Sequence, residues 1–322
     1  MDVLKETWAG KINEVTIGAT EKDGGTRTSQ ITVGGETTLP FLFKEGAMPH
    51  APVIAMEVLD IEPVDWPETL KKPFGDALRD PVKWAVKCVE EFKARLICVK
   101  LAGTHPDFGN KSAEDSAKLI KDILKAVKTP LIILGSGDET KDNIVLAKAS
   151  EVSKGERCLL GDATEKNYKT LTASCLADGH NIIAESPIDI NIAKQANILI
   201  SEMGFPMERI VINTTIGALG YGMEYAYSIM ERARIAALLG DKTLSGPFVC
   251  FVGQEAWRAK EAKATSTEHP EWGDETSRGI IWETDTAVSV LMAGADILIM
   301  RHPKAVEGVQ VYIDDLMKNK GD

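Results

Sequence analysis

The sequence predicts an α/β protein, a (β/α)8 TIM barrel that follows an N-terminal β-hairpin extension. Eight short apolar runs rich in β-branched residues recur along the chain, and a helix-length stretch follows each of them. Continuous apolar runs are typical of parallel strands that are buried on both faces. Eight such units favour a closed barrel over a doubly wound sheet, which would leave two or three strands to place. The runs are, in order, 52–60, 96–101, 130–135, 157–163, 181–186, 209–215, 247–253 and 295–301.

The first fifty residues have a different pattern, which predicts the hairpin. Residues 11–20 and 29–35 are strand-like, and the turn-rich segment 21–28 joins them. We expect this hairpin to close the amino-terminal mouth of the barrel. The predicted domains are therefore an extension of residues 1–50 that packs on the barrel, and the TIM barrel itself in residues 51–322.

Helix signals support the segments between the strands. Residues 80–94 have Pro81 near their start and apolar residues at helical spacing. Ser112 is a predicted N-cap, and Gly240 is predicted to end a later helix. After the seventh strand, the polar segment 262–279 is either a lid or docking surface on the functional face, or an ordinary surface loop.

The composition and the net charge limit the classes of binding partner and the cellular location that we expect. Lys and Arg number 37 against 48 Asp and Glu, a net charge of −11, which argues against nucleic acid or an anionic membrane as the main partner. We find no apolar signal core and no apolar run near the roughly 18 residues that span a bilayer, so we expect a cytoplasmic protein. The five cysteines show no CxxC spacing. Reduced thiols are therefore expected, without a zinc site or a local iron–sulfur motif.

Polar side chains stand at the predicted carboxyl ends of the strands, the face at which barrels carry out their chemistry. The set is rich in acids, and a few convergent members would suffice to bind a ligand. Its members are Glu57, Asp60, Lys100, Ser136, Asp138, Asp162, Thr164, Glu185, Ser186, Asn213, Thr214, Thr215, Gln254, Glu255, Arg301 and His302.

The residue types near the strand ends permit few catalytic interpretations. His105 and His302 are the histidines near strand ends that are candidates for acid–base or ligand roles. The sequence has no HxH or HExxH pattern, so catalysis by a histidine-bound metal is not expected. Lys100 is a candidate Schiff-base lysine, although Glu57 or Asp162 would keep it charged if either were its neighbour.

The segment NTTIGALGYG, residues 213–222, has an unusual glycine order. It reads GxxGxG, which is neither the GxGxxG dinucleotide fingerprint nor a P-loop, because no Lys-Ser/Thr follows. Glycine permits the positive φ of a tight turn. Because it has no side chain, it also lets a flat or bulky group approach the backbone closely. The pattern alone leaves both interpretations open.

Four long motifs resemble one protein family. The likeness lies in INTTIGALGYGMEYAYSIMERARIAALLGD, FVGQEAWRAKEA, GDATEKNY and ESPIDINIAKQ, and it extends to the KINEVTIGAT start, covering essentially the whole chain. These motifs are similar to the small subunit of the corrinoid iron–sulfur protein, which serves the carbon monoxide dehydrogenase/acetyl-CoA synthase pathway of carbon fixation. The motifs are long and unusual, so the resemblance is specific.

The resemblance implies a TIM barrel that pairs with a larger corrinoid iron–sulfur subunit as a heterodimer. In this family the large subunit carries the [4Fe–4S] cluster, and a cobamide (a B12-type corrinoid) lies between it and the barrel. The resemblance further implies methyl transfer from methyltetrahydrofolate, on a separate methyltransferase, through cobalt to acetyl-CoA synthase. A reductive activator is a further implied partner.

Under this resemblance we expect the barrel mouth to cover the reactive face of the macrocycle, with no catalytic residue in this chain. Asn213, Thr214 and Thr215 would bond the amide side arms of the macrocycle. The expected cofactor-binding residues are Asp162, Thr164, Glu185, Ser186, Asn213, Thr214, Thr215, Gly217 and Gly220. Candidate anchors for the large subunit near the mouth are Tyr221, Tyr225, Trp257 and Trp272.

Two enzymatic alternatives remain from the residues alone. A stand-alone pterin-dependent methyltransferase barrel would use strand-end Asp and Asn residues for the pterin, and Asp162 and Asn213 satisfy that requirement. A Schiff-base aldolase would use Lys100. The barrel fold decides neither, because TIM barrels host many chemistries.

Overall fold

The computed structural model describes residues 5–318, and within them it confirms the predicted barrel. Two short strands form an antiparallel sheet, and eight parallel strands form the closed barrel. The strands are β1 (Val15–Ile17), β2 (Ile31–Val33), β3 (Val53–Leu59), β4 (Leu96–Lys100), β5 (Leu131–Leu134), β6 (Leu159–Ala163), β7 (Asn181–Glu185), β8 (Ile210–Asn213), β9 (Phe248–Cys250) and β10 (Ala295–Met300). Each barrel strand pairs with the next one along the chain, and β10 closes the barrel by pairing with β3.

Helices cover the outside of the barrel between the strands. Their caps follow the sequence signals: Asp80 accepts from the backbone of Val82 and Lys83, and Ser112 accepts from the Asp115 N–H at 3.0 Å. The helices are α1 (Glu68–Lys71), α2 (Pro81–Glu90), α3 (Ala113–Ala126), α4 (Glu139–Val152), α5 (Tyr168–Asp178), α6 (Ile190–Glu202), α7 (Met223–Leu238), α8 (Val252–Ala256), α9 (Lys260–Lys263), α10 (Glu275–Ala293) and α11 (Pro303–Lys318).

The prediction for the seventh barrel strand is wrong at its carboxyl end. The apolar run reaches residue 253, but β9 stops at Cys250, and α8 begins at Val252. Gly253 packs so closely on Arg301 that a Cβ there would lie 2.7 Å from the Arg301 Cγ. The chain leaves the sheet at this close approach, and Gln254 stands at the mouth of the barrel.

The hairpin β1–β2 packs on the amino-terminal end of the barrel. Its buried side chains join one apolar cluster with interior residues of the barrel strands. The Asn181 side chain, at the start of β7, donates to the Thr16 carbonyl at 2.8 Å, and the Gly18 N–H donates to the Arg157 carbonyl at 2.8 Å. The division into an extension of residues 1–50 and a barrel of residues 51–322 stays a prediction.

A buried ionic cluster fixes the segment after the hairpin to the barrel. Arg234 of α7 pairs with Asp296 of β10 at 2.8 Å and with Glu36 at 3.4 Å. Burial, followed by the neighbouring Asp296 charge, raises the pKa of Glu36. Removing Arg234 would leave two buried carboxyl groups without their cation, which is the costly way to break such a cluster.

We predict that Ile17→Ala lowers the free energy of unfolding by about 3 kcal/mol, because it opens a cavity in the packed amino-terminal end of the barrel. Ile17 is fully buried there. Urea denaturation followed by circular dichroism measures the change. The control is Lys22→Ala in the exposed turn of the hairpin, which should leave the midpoint unchanged. Equal midpoints for the two variants would show that the hairpin does not stabilise the barrel.

Candidate functional site

The carboxyl ends of the strands surround a cavity of about 870 Å³. Lys100, Glu185 and Asn213 are the last residues of β4, β7 and β8, and Asp162 is the next-to-last residue of β6. All four line the cavity. Parallel strands end at one edge of the barrel, so residues far apart in the chain meet at this face.

Nine residues were expected to hold a cofactor, and the cavity gathers five of them. Thr214 and Ser186 are instead buried in the protein. The lining residues are Asp162, Thr164, Glu185, Asn213 and Thr215, and the others, which lie outside the lining, are Ser186, Thr214, Gly217 and Gly220. Their role in cofactor binding stays a prediction.

Two carboxyl groups and one amide form the floor of the cavity. The Asn213 Nδ2 group donates to Glu185 Oε2 at 3.2 Å and lies 3.4 Å from Asp162 Oδ1. The Asn213 Oδ1 atom accepts from the Thr215 N–H at 2.9 Å, which fixes the orientation of the amide. The side chain of Asn213 therefore presents its NH2 group to both acids.

Burial disfavours the ionised forms of the two acids of the floor. Burial, followed by the Glu185 charge, raises the pKa of Asp162 well above the ordinary range of aspartate. Burial also raises the pKa of Glu185, against the opposing effects of its hydrogen bond with Asp162 and of the Lys100 charge. Two carboxyl groups in one low-dielectric site do not ionise together. The charge of one acid therefore opposes ionisation of the other.

A second group of hydrogen bonds fixes the conformation of the loop after β6. The Asn167 side chain donates to the Asp162 carbonyl at 2.9 Å and accepts from the Thr164 N–H at 2.8 Å. The Thr164 hydroxyl donates to Glu139 at 2.9 Å, and Glu139 pairs with Lys166 at 2.8 Å. Asn167 is a positioning residue that sequence reasoning missed. The sequence feature that could have identified Asn167 is an amide side chain five residues after the acid near the end of a strand.

Lys100 faces the acid pair across the cavity floor. Its ammonium group donates to the Gln254 Oε1 atom, and its charge favours the ionised forms of Asp162 and Glu185. A Schiff-base lysine stands in an apolar pocket or beside another cation, whereas Lys100 is hydrogen-bonded to Gln254 and stands near two acids. The geometry therefore favours a binding role for Lys100 over an aldolase role.

Arg301 forms the opposite wall of the cavity. Its Nε group donates to Glu57, and its guanidinium lies over the Trp66 ring at 4.8 Å. The buried carboxylate of Glu283 holds the same corner by accepting from the Arg301 N–H at 2.5 Å and from Trp257 Nε1 at 2.7 Å. The Glu57–Arg301 pair joins β3 to the residue that follows β10, and these two strands are adjacent only because the barrel closes.

The glycines of segment 213–222 are required by the backbone of the segment itself. A Cβ at Gly217 would collide with the carbonyl oxygen of Tyr221, and Gly220 has a φ of 75°. The segment turns tightly before α7, and Thr215, with a φ of 51°, lies at the start of this turn. Of the two interpretations left open by the sequence, the turn explains these glycines.

The candidate histidines do not line the cavity. Burial, with the nearby Lys304 charge, lowers the pKa of His302 to about 4, so its ring is neutral at pH 7. His105 lies in the loop after β4, 3.8 Å from Asp107. Among residues 5–318, no group of three or more His, Cys, Asp or Glu side chains is arranged to hold a metal ion.

Exposed apolar side chains stand around the mouth. Val64 and Phe108 line one side of the cavity and are exposed, and Tyr221 and Tyr225 are exposed at the start of α7. Trp257, expected as a partner anchor, is instead buried in the core.

The segment 262–279 is packed on itself. The Trp272 ring stacks on His269 at 3.8 Å, and the cationic groups of Lys260 and Arg278 lie 5.5 and 5.7 Å from its centroid. Arg278 also donates to the Glu261 carbonyl at 2.6 Å. These contacts occupy Trp272, the other tryptophan expected as an anchor, and the Tyr221 hydroxyl donates to Glu261 at 2.9 Å. Tyr225, which is 64% exposed, is the better candidate among the four expected anchors.

Solved structures place the protein in the class of (β/α)8 barrels. A dihydropteroate synthase from Coxiella burnetii in complex with pteroic acid aligns with a TM-score of 0.58 at 11% identity, covering 88% of this chain and 100% of that one. The enzyme from Stenotrophomonas maltophilia aligns with a TM-score of 0.56 at 13% identity, covering 85% and 95%. At these identities the likeness shows the fold alone.

Sequence comparison gives the family. Residues 14–311 match the model of the CO dehydrogenase/acetyl-CoA synthase delta subunit. The acetyl-CoA decarbonylase/synthase complex subunit delta of Archaeoglobus fulgidus is 39% identical over 307 residues, which cover 94% of this chain and 68% of that protein. The corresponding subunit of Methanocaldococcus jannaschii is 35% identical over 318 residues, covering 98% and 77%. The chain belongs to this delta subunit family, and the resemblance found in the motifs is confirmed.

None of the helices within the described part of the chain is long and apolar enough to cross a membrane.

We predict that the free energy of unfolding of Asp162→Asn, taken relative to that of the wild type, increases with pH. Between the ordinary aspartate pKa of about 4 and the raised pKa of the folded state, native Asp162 holds a proton that the unfolded chain releases. Wild-type stability therefore falls with pH in this range, by up to about 1.4 kcal/mol per pH unit, and asparagine removes this loss.

Urea denaturation at about pH 5 and about pH 8 measures this difference. Asp285→Asn, at an exposed position of α10, is the control and should show the pH dependence of the wild type. If Asp162→Asn also shows that dependence, the acid pair does not hold the proton.

Proposed function

We propose that this chain is the small subunit of a heterodimeric corrinoid iron–sulfur methyl carrier, in which it helps to hold and shield a cobamide shared with a larger subunit. When bound, the cobamide supplies a Co(I) centre that accepts a methyl group from methyltetrahydrofolate, on a separate methyltransferase, and delivers it to acetyl-CoA synthase. The observation that carries the proposal is the family match over residues 14–311.

The mouth of the barrel has side chains suited to covering such a cofactor. A corrin ring carries carboxamide arms around its edge, and the cavity offers both donors and acceptors to them. The residues that would hold the arms are Asp162, Thr164, Glu185, Asn213 and Thr215, which line the cavity. Ser186, Thr214, Gly217 and Gly220 lie behind or beside that lining and would support it. A covered ring face excludes water, which protects a strong nucleophile from protonation.

The division of labour assigns the [4Fe–4S] cluster to the large subunit. The five cysteines of this chain are buried and free, on α2, β4, α5, β9 and just before β6. Burial raises the pKa of each thiol, which disfavours the thiolate that cluster ligation needs. The partners are then the large subunit, the methyltransferase, acetyl-CoA synthase and a reductive activator, in the cytoplasm.

We predict that this chain is colourless alone and becomes part of a cobamide- and iron-containing heterodimer when it is co-expressed anoxically with the large subunit. The visible spectrum and the native mass of each preparation measure this outcome. A stable lone chain that recruits no corrinoid partner would contradict the methyl-carrier function.

We predict that Phe108→Asp weakens association with the large subunit at least about tenfold, since an exposed apolar contact at the mouth would be replaced by a charge. Phe108 is 66% exposed at the cavity rim. The matched control is Ile144→Asp on α4, at a residue that is 63% exposed and does not line the cavity. Anoxic titration calorimetry compares the two, and equal affinities would place the interface elsewhere.

A second candidate function is a stand-alone pterin-dependent methyltransferase. It is favoured by the 3.4 Å approach of the Asn213 amide to Asp162, since these are the two side chains such a barrel would use. Binding of methyltetrahydrofolate by the lone chain, together with methyl transfer to a free corrinoid, would support it. Binding without transfer would count against it as an enzyme.

A further inference from the structure

An apolar loop stands at the end of the barrel opposite the mouth. Residues 37–47, here called the amino-end loop, include the run Leu-Pro-Phe-Leu-Phe at positions 39–43. Pro40 of this loop and Ala295, the first residue of β10, line one small cavity, so the loop lies where β10 begins. The mouth lies where the strands end, and the six residues of β10 separate the two surfaces by roughly 20 Å.

The apolar side chains of the amino-end loop do not serve the core of the barrel. Leu42 is 46% exposed, and Leu39, Phe41 and Phe43 are half-buried. Within residues 5–318 none of the four belongs to the apolar clusters of the barrel or packs against them. Four bulky apolar side chains that the fold itself does not use indicate a surface that another molecule covers.

Two further apolar side chains extend this surface. The Trp8 Nε1 group donates to Glu45 Oε2, in the amino-end loop, at 3.4 Å. The Gly10 N–H donates to the Leu238 carbonyl at 2.7 Å, so the chain runs from the loop to the end of α7, where Leu239 is 68% exposed. The whole surface, here called the amino-end patch, consists of Trp8, Leu39, Phe41, Leu42, Phe43 and Leu239.

Hydrogen bonds fix the conformation of the amino-end loop. Its two ends meet, because the Thr37 N–H donates to the Ala47 carbonyl at 2.9 Å and the Ala47 N–H donates to the Thr37 hydroxyl at 2.9 Å. The Thr38 hydroxyl donates to the Leu42 carbonyl at 3.1 Å. Phe41 has a φ of 61°, a left-handed conformation that bulky residues rarely adopt. The loop therefore holds its apolar side chains ready for a partner, which lowers the entropy lost on binding.

Unpaired cations flank the amino-end patch. Lys44 directly follows Phe43 in the loop, and Lys5 and Lys11 stand three residues on either side of Trp8. The three lysines are exposed, and within residues 5–318 none of them forms an ion pair. The carboxylate of Glu45 is already the acceptor of two hydrogen bonds. The local charge thus contrasts with the net charge of −11 of the whole chain.

We propose that the amino-end patch docks a second protein, whose surface presents an apolar pocket bordered by carboxylates. The pocket covers Leu42 and its phenylalanine neighbours, and the carboxylates pair with the three lysines. This inference goes beyond the proposed function, which assigns the mouth to the cobamide and the large subunit. It rests on that function only for the choice of the proteins to be tested.

Other occupants fit the amino-end patch less well. In a symmetric pair of two copies the same lysines would face one another around the two-fold axis, and two chains of net charge −11 would repel each other. An anionic membrane would attract the lysines but would repel the chain as a whole. A protein whose carboxylates stand only at the border of a pocket meets the local charges without this repulsion.

Biolayer interferometry of the anoxic heterodimer tests the inference, with the methyltransferase, the acetyl-CoA synthase and the reductive activator as the three probes. At least one probe should bind the wild type. Leu42→Asp should weaken that binding at least about tenfold, because it places a carboxylate in an apolar pocket bordered by acids. Lys44→Glu should weaken it as well, and about 0.5 M NaCl should reduce the effect of this charge reversal.

Two substitutions on α5 are the matched controls. Leu176→Asp changes an apolar residue that is 42% exposed, and Lys169→Glu reverses the charge of an exposed lysine. Both variants should bind as the wild type does. Urea denaturation should give nearly the same midpoint for Leu42→Asp as for the wild type, since this side chain takes no part in the core.

Each outcome decides for or against the docking surface. A probe that binds Leu42→Asp and Lys44→Glu more weakly, but not the two controls, supports the inference. Three probes that fail to bind the wild type, or that bind Leu42→Asp equally well, overturn it. Binding of the wild type to phosphatidylglycerol vesicles that Leu42→Asp abolishes would assign the patch to a membrane and would also overturn it.

The visible spectrum of each preparation separates this inference from the proposed function. If Leu42→Asp prevents assembly of the cobamide-containing heterodimer, the patch belongs to the interface with the large subunit, and docking of a second protein there is overturned. If the wild type itself forms no heterodimer, the proposed function fails. The same titrations on the lone chain then still decide the inference.

Discussion

Closure of the eight parallel strands into a barrel is the constraint on which every other feature depends. The interior is filled with apolar side chains from the strands, and the hairpin β1–β2 adds its own apolar side chains at the amino-terminal end. A barrel packed in this way leaves little room for polar groups, and Glu57 and Asp296, which are buried within the strands, are each paired with an arginine. The polar residues Lys100, Asp162, Glu185 and Asn213 therefore stand at or next to the last position of their strands, where packing ends and the cavity begins.

Closure of the barrel also places an arginine and a pair of acids on opposite sides of the cavity. Glu57 and Arg301 pair because β3 and β10 become neighbours only when the barrel closes. The acid pair stands on the far side, where burial and the Glu185 charge raise the pKa of Asp162. A cover for a flat, amide-bearing cofactor needs this combination: oriented donors and acceptors on a rigid floor, and an apolar rim for the partner that carries the cofactor.

The sequence predicted the barrel because continuous apolar runs and helix caps are local signals. It also predicted which residues stand at the strand ends, since parallel strands share one edge. It did not predict that Ser186 and Thr214 are buried, because the direction of a side chain after a strand depends on loop torsions. The pairing of Glu57 with Arg301, 244 residues apart, and the self-contact of Gly217 with Tyr221 depend on tertiary structure that no local pattern encodes.

The central claim is that this barrel shields the reactive face of a cobamide held by a partner. The most direct measurement is the anoxic lifetime of the Co(I) absorbance in the large corrinoid subunit, recorded with and without this chain at saturating concentration. The account predicts a lifetime several-fold longer in the heterodimer, with a smaller gain for Phe108→Asp. Equal lifetimes with and without the chain, in a heterodimer shown to be intact, would contradict it.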